Sequence, residues 1–283
     1  MIGRRMKTNF QYIFFILTLS ICLLIPSYLF AQSETLKIPH IETEIVIDGN
    51  LSEWRDFAFT DGLWDIYRAM QSPWYEPAKN RLTDHGSEPL PEDDLNARYY
   101  IGWDERFLYL GAEVSDNIND VSESKHAPKR WYYKDAIAWF FEAPADTISD
   151  TFGEGNHAFA FVMDTTYPEY GAWWRHGNKD TNFLEEALPE ETVAYAIRFV
   201  TGRNKAGYDL EARIDLNRTF SASTSSWETA ESGKFIRMMI VHCDPDGGEY
   251  GGHLLIYGKG DADESWKVFQ LGGPAEGVRR EQK

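Results

Sequence analysis

Two runs decide how this chain folds: Ala97–Asp116, ARYYIGWDERFLYLGAEVSD, and, after a polar stretch, Trp131–Glu142, WYYKDAIAWFFE. In the first, Ala97, Tyr99, Ile101 and Trp103 alternate with Arg98, Tyr100 and Gly102. After the break at Asp104-Glu105-Arg106, Leu108, Leu110, Ala112 and Val114 share one face. Period-two alternation on both sides of a short polar break predicts a β-hairpin. From Asp135 to Glu142 both faces are apolar, Ala136, Ala138 and Phe140 against Ile137, Trp139 and Phe141. A strand of that kind is covered on both sides, so it belongs at the centre of a sheet.

Working outward from this centre, Glu44–Asp48 (EIVID) alternates as a strand and stops at Gly49-Asn50. Leu51-Ser52-Glu53-Trp54 then reads as one helical turn that Asn50 caps. Between Asp61 and Asp94 periodicity is lost among Pro73, Pro77, Pro89 and Pro91, yet Trp64, Tyr67, Trp74 and Tyr75 punctuate the run. A long aromatic loop in a compact domain is a candidate for function. Later strands are expected at His157–Asp164, Tyr170–Arg175, Thr192–Val200, Gly207–Leu216, Phe235–Cys243, Gly252–Tyr257 and Trp266–Leu271, with Asn178–Glu191 as a second polar loop. About ten strands with turn signals between them and short helical turns only predict an all-β fold, an antiparallel β-sandwich.

Arg4, Arg5 and Lys7, the apolar run Ile13–Phe30 and then Ala31 have the order of a secretory signal peptide, residues 1–31. A polar lead (32–43), one sandwich domain (44–272) and a tail (273–283) follow. An exported destination is expected: periplasm, outer surface or extracellular space, with no membrane insertion after cleavage. Of the two cysteines, Cys22 lies in the leader, which leaves Cys243 without a disulfide partner. The leader holds three of the 28 basic residues and no acidic one, so the remainder carries 25 basic against 45 acidic residues, a net −20. That charge disfavours nucleic acid and anionic lipid surfaces as partners.

Several pieces, in order, resemble the family 9 carbohydrate-binding modules found beside xylanases and other secreted polysaccharide-degrading enzymes. They are Val46-Ile47-Asp48-Gly49 with Leu51-Ser52-Glu53-Trp54; Trp103-Asp104 before Phe107-Leu108-Tyr109; Val114 with Asp116; the strand Asp135–Glu142; Gly207-Tyr208 with Glu211 and Ile214; and Ile240–Asp244. The resemblance implies a β-sandwich that holds an oligo- or polysaccharide between two aromatic rings, with structural calcium, beside glycoside hydrolases. Carried over by residue, the first ring falls on Trp131 or Tyr132. The acidic residue expected three positions after Asp135 is Ala138, the Arg expected on the next strand falls near Ala160, and Trp266 takes a strand-starting position instead of the sugar-stacking loop.

Aromatic rings suit pyranoses because their negative faces match the apolar, slightly positive C–H face of the sugar, while polar side chains take the hydroxyls. Trp131 and Tyr132 are the expected platform, and Trp131→Ala is expected to abolish glycan retention without lowering the melting temperature. Trp103, Trp139 and Trp54 fall within apolar periodicity and read as core. Of Trp173-Trp174, adjacent on a strand, one should face the core and leave the other free, so Trp174 and the loop residue Trp74 are candidates for the second platform. Asp116-Asn117 with Asp120, and Asp244 with Asp246, offer hard oxygen ligands suited to calcium.

Carboxylate pairs such as Glu185-Glu186 lie in polar sequence, and no Gly-x-Ser-x-Gly or His-Glu-x-x-His motif is present, so the chain is not expected to be an enzyme. Two alternatives stand beside sugar binding. One is a haem-holding sandwich, with His157, Met163, His176, Met238, Met239 and His242 as possible ligands. The other is a surface scaffold that has lost its ligand.

Overall fold

The computed structural model describes residues 35–83, 88–117, 130–148, 153–163, 169, 171–177, 184–202, 205–245, 250–260 and 262–274. The leader, Asp120, Asp246 and the tail beyond residue 274 lie outside the described residues. Leu36–Lys283 forms one compact unit. In chain order the strands are β1 (Leu36–Ile38), β2 (Leu63–Asp65), β3 (Tyr75–Glu76), β4 (Arg81–Leu82), β5 (Glu88–Pro89), β6 (Asn96–Trp103), β7 (Phe107–Ser115) and β8 (Ala136–Glu142). They continue with β9 (Asn156–Val162), β10 (Ala172–His176), β11 (Leu184–Ala187), β12 (Val193–Gly202), β13 (Lys205–Asp215), β14 (Phe235–Cys243), β15 (His253–Ile256) and β16 (Lys267–Leu271).

These strands make an all-β sandwich. An eight-stranded sheet runs β1-β16-β14-β8-β9-β10-β11, with β15 also on β14, and faces a five-stranded sheet, β12-β13-β7-β6-β2. The hairpin read from the sequence is β6–β7: Ala97 pairs with Val114, Tyr99 with Ala112, Ile101 with Leu110 and Trp103 with Leu108. Opposed residues on an antiparallel pair share a face, so these eight side chains form one apolar surface. Against it β8 presents Ile137, Trp139 and Phe141; Tyr99 meets Trp139 edge-on, with centroids 6.4 Å apart. Every residue of β8 is buried, and it lies between β14 and β9 as a central strand should.

Five segments depart from the sequence reading. Glu44–Asp48 is not a strand: the N–H groups of Asp48 and Gly49 go to the Glu211 carboxylate (3.0 and 2.9 Å) instead of to a neighbouring strand. Ile41, Ile45, Leu51 and Trp54 pack with Tyr100 and Tyr109 as a small second core. The turn Leu51–Glu53 is 3-10 helix capped by Asn50, as expected. The loop 61–94 contains β2, a four-residue helix and the small sheet β3-β4-β5, and the loop 178–191 contains edge strand β11. Leu216–Ser223 is a two-turn helix, started by Asp215, whose side chain accepts from Arg218 N (3.1 Å). Finally, β1 in the polar lead pairs parallel to β16, so the sandwich begins before residue 44. Among the described residues no helix is long and apolar enough to cross a membrane.

Candidate functional site

The outward face of the eight-stranded sheet is paved with small side chains. Ala138 sits between Ala160 and Val241, Ala136 between Val162 and Cys243, and Ala158 between Phe140 and Arg175. Small residues on a pleated surface leave space above the backbone, and two segments wall that space. One is the 3-10 turn Trp131–Tyr133, which packs on β9; the other is the turn into β15, which carries Tyr250. The rings run in a chain: Trp131 to Tyr132 (centroids 5.5 Å), Tyr132 to Tyr133 (5.1 Å), Tyr133 to Tyr250 (5.5 Å) and Tyr250 to His253 (4.9 Å). Between them lies a groove of 440 Å³ with Phe140 and Arg175 among its lining. Arg175 Nε donates to Glu185 Oε2 at 2.8 Å, so a cation and a carboxylate stand side by side at one end. Aromatic faces with a few convergent polar groups are the lining of a site for a neutral, hydroxyl-rich ligand.

Beneath this groove three strand ends bring carboxylates together. Asp116 follows β7, Asp135 precedes β8 and Asp244 follows β14; all three are buried, and one oxygen of each lies within 4.8 Å of the others. Gly252, at φ 62°, permits this approach, because a Cβ there would fall 1.8 Å from the Asp244 carbonyl, whose own N–H donates to Gly252 O at 2.9 Å. Trp131–Tyr133 leads straight into Asp135, and Tyr250 lies two residues before Gly252, so both walls of the groove are anchored at the acidic cluster. Three buried carboxylate oxygens within 4.8 Å of one another are a donor set for a hard divalent cation such as calcium.

Next to the cluster the core holds a polar chain. His242 Nδ1 is 2.7 Å from the Tyr99 hydroxyl, and Nε2 is 2.7 Å from the Tyr208 hydroxyl. Burial drives the His242 pKa down to about 3, so the imidazole is neutral, one nitrogen donating and the other accepting. Burial, reinforced by Asp244 for Tyr99 and by Asp135 and Asp116 for Tyr208, holds both phenols well above their usual range.

Residues 69–268 match the sequence family described as Carbohydrate family 9 binding domain-like. The chain belongs to that family. The family 9 fold also appears in two solved structures of a module from Caldicellulosiruptor kristjanssonii. The one in complex with cellotriose is 12% identical, with TM-score 0.52 over 88% of this chain and 98% of that one. The one in complex with glucose is 12% identical, with TM-score 0.53 over 86% and 98%. At that identity the likeness is one of fold. No curated protein gives a significant sequence match.

Within this family 9 domain the residues singled out from sequence separate into four places. Trp131 and Tyr132 lie at the groove, but Trp131 is only 4% exposed and pins the turn, while half-buried Tyr132 and Tyr133 offer ring faces. An indole this buried makes a loss of stability the expected result of Trp131→Ala, in place of the unchanged melting temperature read from the sequence. Trp174 points inward: its Nε1 donates to His157 Nδ1 at 3.1 Å and its ring stacks 4.0 Å from His176. Its neighbour Trp173 is buried too, so neither indole of the pair is left free. Trp74 lines a separate cavity. Asp116 and Asp244, read as members of two clusters, belong to one, completed by Asp135; Asn117 donates instead to Asp94. Trp103, Trp139 and Trp54 are core, as expected.

For the haem alternative, both nitrogens of His242 are taken by tyrosines, and Met163, Met238 and Met239 are packed in the apolar core. The groove residues that the sequence did not offer are Tyr133, Tyr250, Phe140 and Arg175, the last with Glu185 as its ion-pair partner. Arg175 reaches the face near Ala158 from β10, one strand beyond the place where an arginine was expected.

Proposed function

We propose that the chain is an exported, non-catalytic carbohydrate-binding domain that takes an oligo- or polysaccharide in the groove above β8, in the service of polysaccharide breakdown and beside glycoside hydrolases. The observation that carries this reading is the chain of rings Trp131, Tyr132, Tyr133 and Tyr250 around a groove that ends at Arg175 and Glu185. Tyr132 and Tyr250 stack on the sugar's C–H faces; Arg175 donates to its hydroxyls and Glu185 accepts from them. That the relatives of the same fold hold cellotriose and glucose supports a β-linked glucan as the first ligand to test.

Calcium is proposed for Asp116, Asp135 and Asp244, whose buried oxygens fit a hard cation. When bound, it neutralises their charges and ties the ends of β7, β8 and β14 together.

Calorimetric titration of the purified chain with cello- and xylo-oligosaccharides tests the sugar reading. Tyr132→Ala and Arg175→Gln should each remove binding while the fold is retained by circular dichroism. Unchanged affinity in both variants, or no binding of any glycan on an array, would overturn it.

A further inference from the structure

Strand β15 presents alternate residues to two cavities. His253 lines the groove described above, whereas Leu255 and, just past the strand, Tyr257 line a second cavity of 530 Å³. Trp266 packs on Phe140 of the first (centroids 5.8 Å) and stands against Gly258 of the second, where a Cβ would come within 2.8 Å of its ring. The buried indole is therefore the partition between neighbouring cavities on one face of the sheet.

The second cavity has a different chemistry. Its aromatic floor is Trp74, half-buried and so with ring surface accessible. The Trp64 ring is covered by Arg68, with Cζ 3.7 Å from its centroid, and Arg68 is itself held by the Asp61 carboxylate (2.7 Å) and the carbonyls of Asp61 and Leu63. Arg68 is thus part of the wall. Lys259 and Lys267 are not committed in this way: among the described residues neither has a carboxylate within ion-pair distance. The Lys259 ammonium lies 5.6 Å from the Trp74 ring centroid, near the outer limit of cation–π attraction. In a chain of net charge −17, Lys267 in the cavity lining and Lys259 beside the Trp74 ring are a local reversal of sign. The backbone is also held out of its ordinary range here, since Tyr257 has φ 70°. A bulky residue in the left-handed region is strained, and such strain clusters at ligand sites.

We propose that this second cavity binds an anionic saccharide unit, with Trp74 as the stacking platform and Lys259 and Lys267 taking the charge. The aromatic groove is not a premise of this proposal; the two sites share one sheet face and fail or succeed separately. Together they would read a glycan that carries acidic sugars along a neutral chain.

The test is calorimetric titration of the purified chain with three trisaccharides of equal length: galacturonate, a sulfated galactose trimer and neutral galactose. One or both acidic trimers should bind, more weakly as salt is raised, and the arm that binds identifies carboxylate or sulfate. Lys259→Gln should weaken that binding at least about tenfold, the scale of one lost charge-assisted hydrogen bond. Lys267→Gln and Trp74→Ala should weaken it as well, and Tyr132→Ala should leave it unchanged. Equal affinity for the neutral trimer, no binding of either acidic trimer, or acidic binding that survives both lysine variants overturns the proposal. The lysine variants alter partly exposed side chains, so their melting temperatures should match that of the unaltered chain.

Discussion

Removing calcium should destabilise the chain in a way that one substitution reverses. Asp116, Asp135 and Asp244 each place an oxygen within 4.8 Å of the others, and two unit charges that close repel by at least about 3.5 kcal/mol at an effective dielectric of 20. Three ionised carboxylates therefore carry roughly 10 kcal/mol of mutual repulsion. A divalent cation among them removes it. Present at about a hundred times its Kd, such a cation adds about 2.7 kcal/mol to folding. With about 2–4 °C of melting temperature per kcal/mol for a chain of this size, replacing millimolar calcium by excess EDTA should lower Tm by about 5–11 °C in scanning calorimetry. Asp135→Asn deletes two of the three repulsive pairs and one ligand charge. It should raise Tm in EDTA and lower it in calcium. A Tm indifferent to chelation, or an Asp135→Asn variant less stable under both conditions, would refute the reasoning and make the cluster a structural hydrogen-bonding centre only.

Three further outcomes are expected. Trp131→Ala should cost about 3–5 kcal/mol, because it empties a buried indole site, whereas Tyr132→Ala costs less and acts on sugar affinity; urea melts separate the two. His157 and His242 are both pulled by burial from 6.5 to about 3, so the unfolded chain takes up protons below pH 6.5 that the native chain refuses. Stability should then be complete above pH 6.5 and fall toward pH 3 by about 1.4 kcal/mol per pH unit for each histidine, and His242→Gln should remove one histidine's share of that slope in melts between pH 6.5 and 5. Glu211→Ala strands the Nε1–H of Trp54 (2.7 Å) and the N–H groups of Gly49 and Asp48, which should cost about 3–5 kcal/mol and release the segment 41–58, seen as faster hydrogen exchange there; Glu211→Gln, which keeps an acceptor, should cost less.

Where the sequence misled, the cause lies in partners remote along the chain. Glu44–Asp48 has strand-like alternation, but the acceptor for its backbone is the side chain of Glu211, far along the sequence, so no ladder forms. The helix Leu216–Ser223 did leave a signal: Asp215 as cap, and Leu216, Thr219, Phe220 and Ser223 at spacings of three, four and seven, all buried. With only two large apolar residues the pattern is faint. The small sheet β3-β4-β5 consists of two-residue strands, too short for any periodicity to register. Among the groove residues, the rings before Asp135 were legible from their place ahead of a central strand. Arg175 and Tyr250 were not, because one reaches the groove from β10 and the other from the turn before β15, both remote in sequence from Asp135.

The residues alone determined the long central strands, their inward faces and the aromatic surplus, because alternation along a strand is local and the same two-residue period repeats whatever lies beside it. Tertiary structure decided which strand ends meet: that Asp116, Asp135 and Asp244 share one pocket, that Trp174 turns inward to His157 and that Trp74 lines a cavity of its own. Strand order and sheet stacking arise from packing whole apolar faces against one another, and no spacing within a single run encodes them.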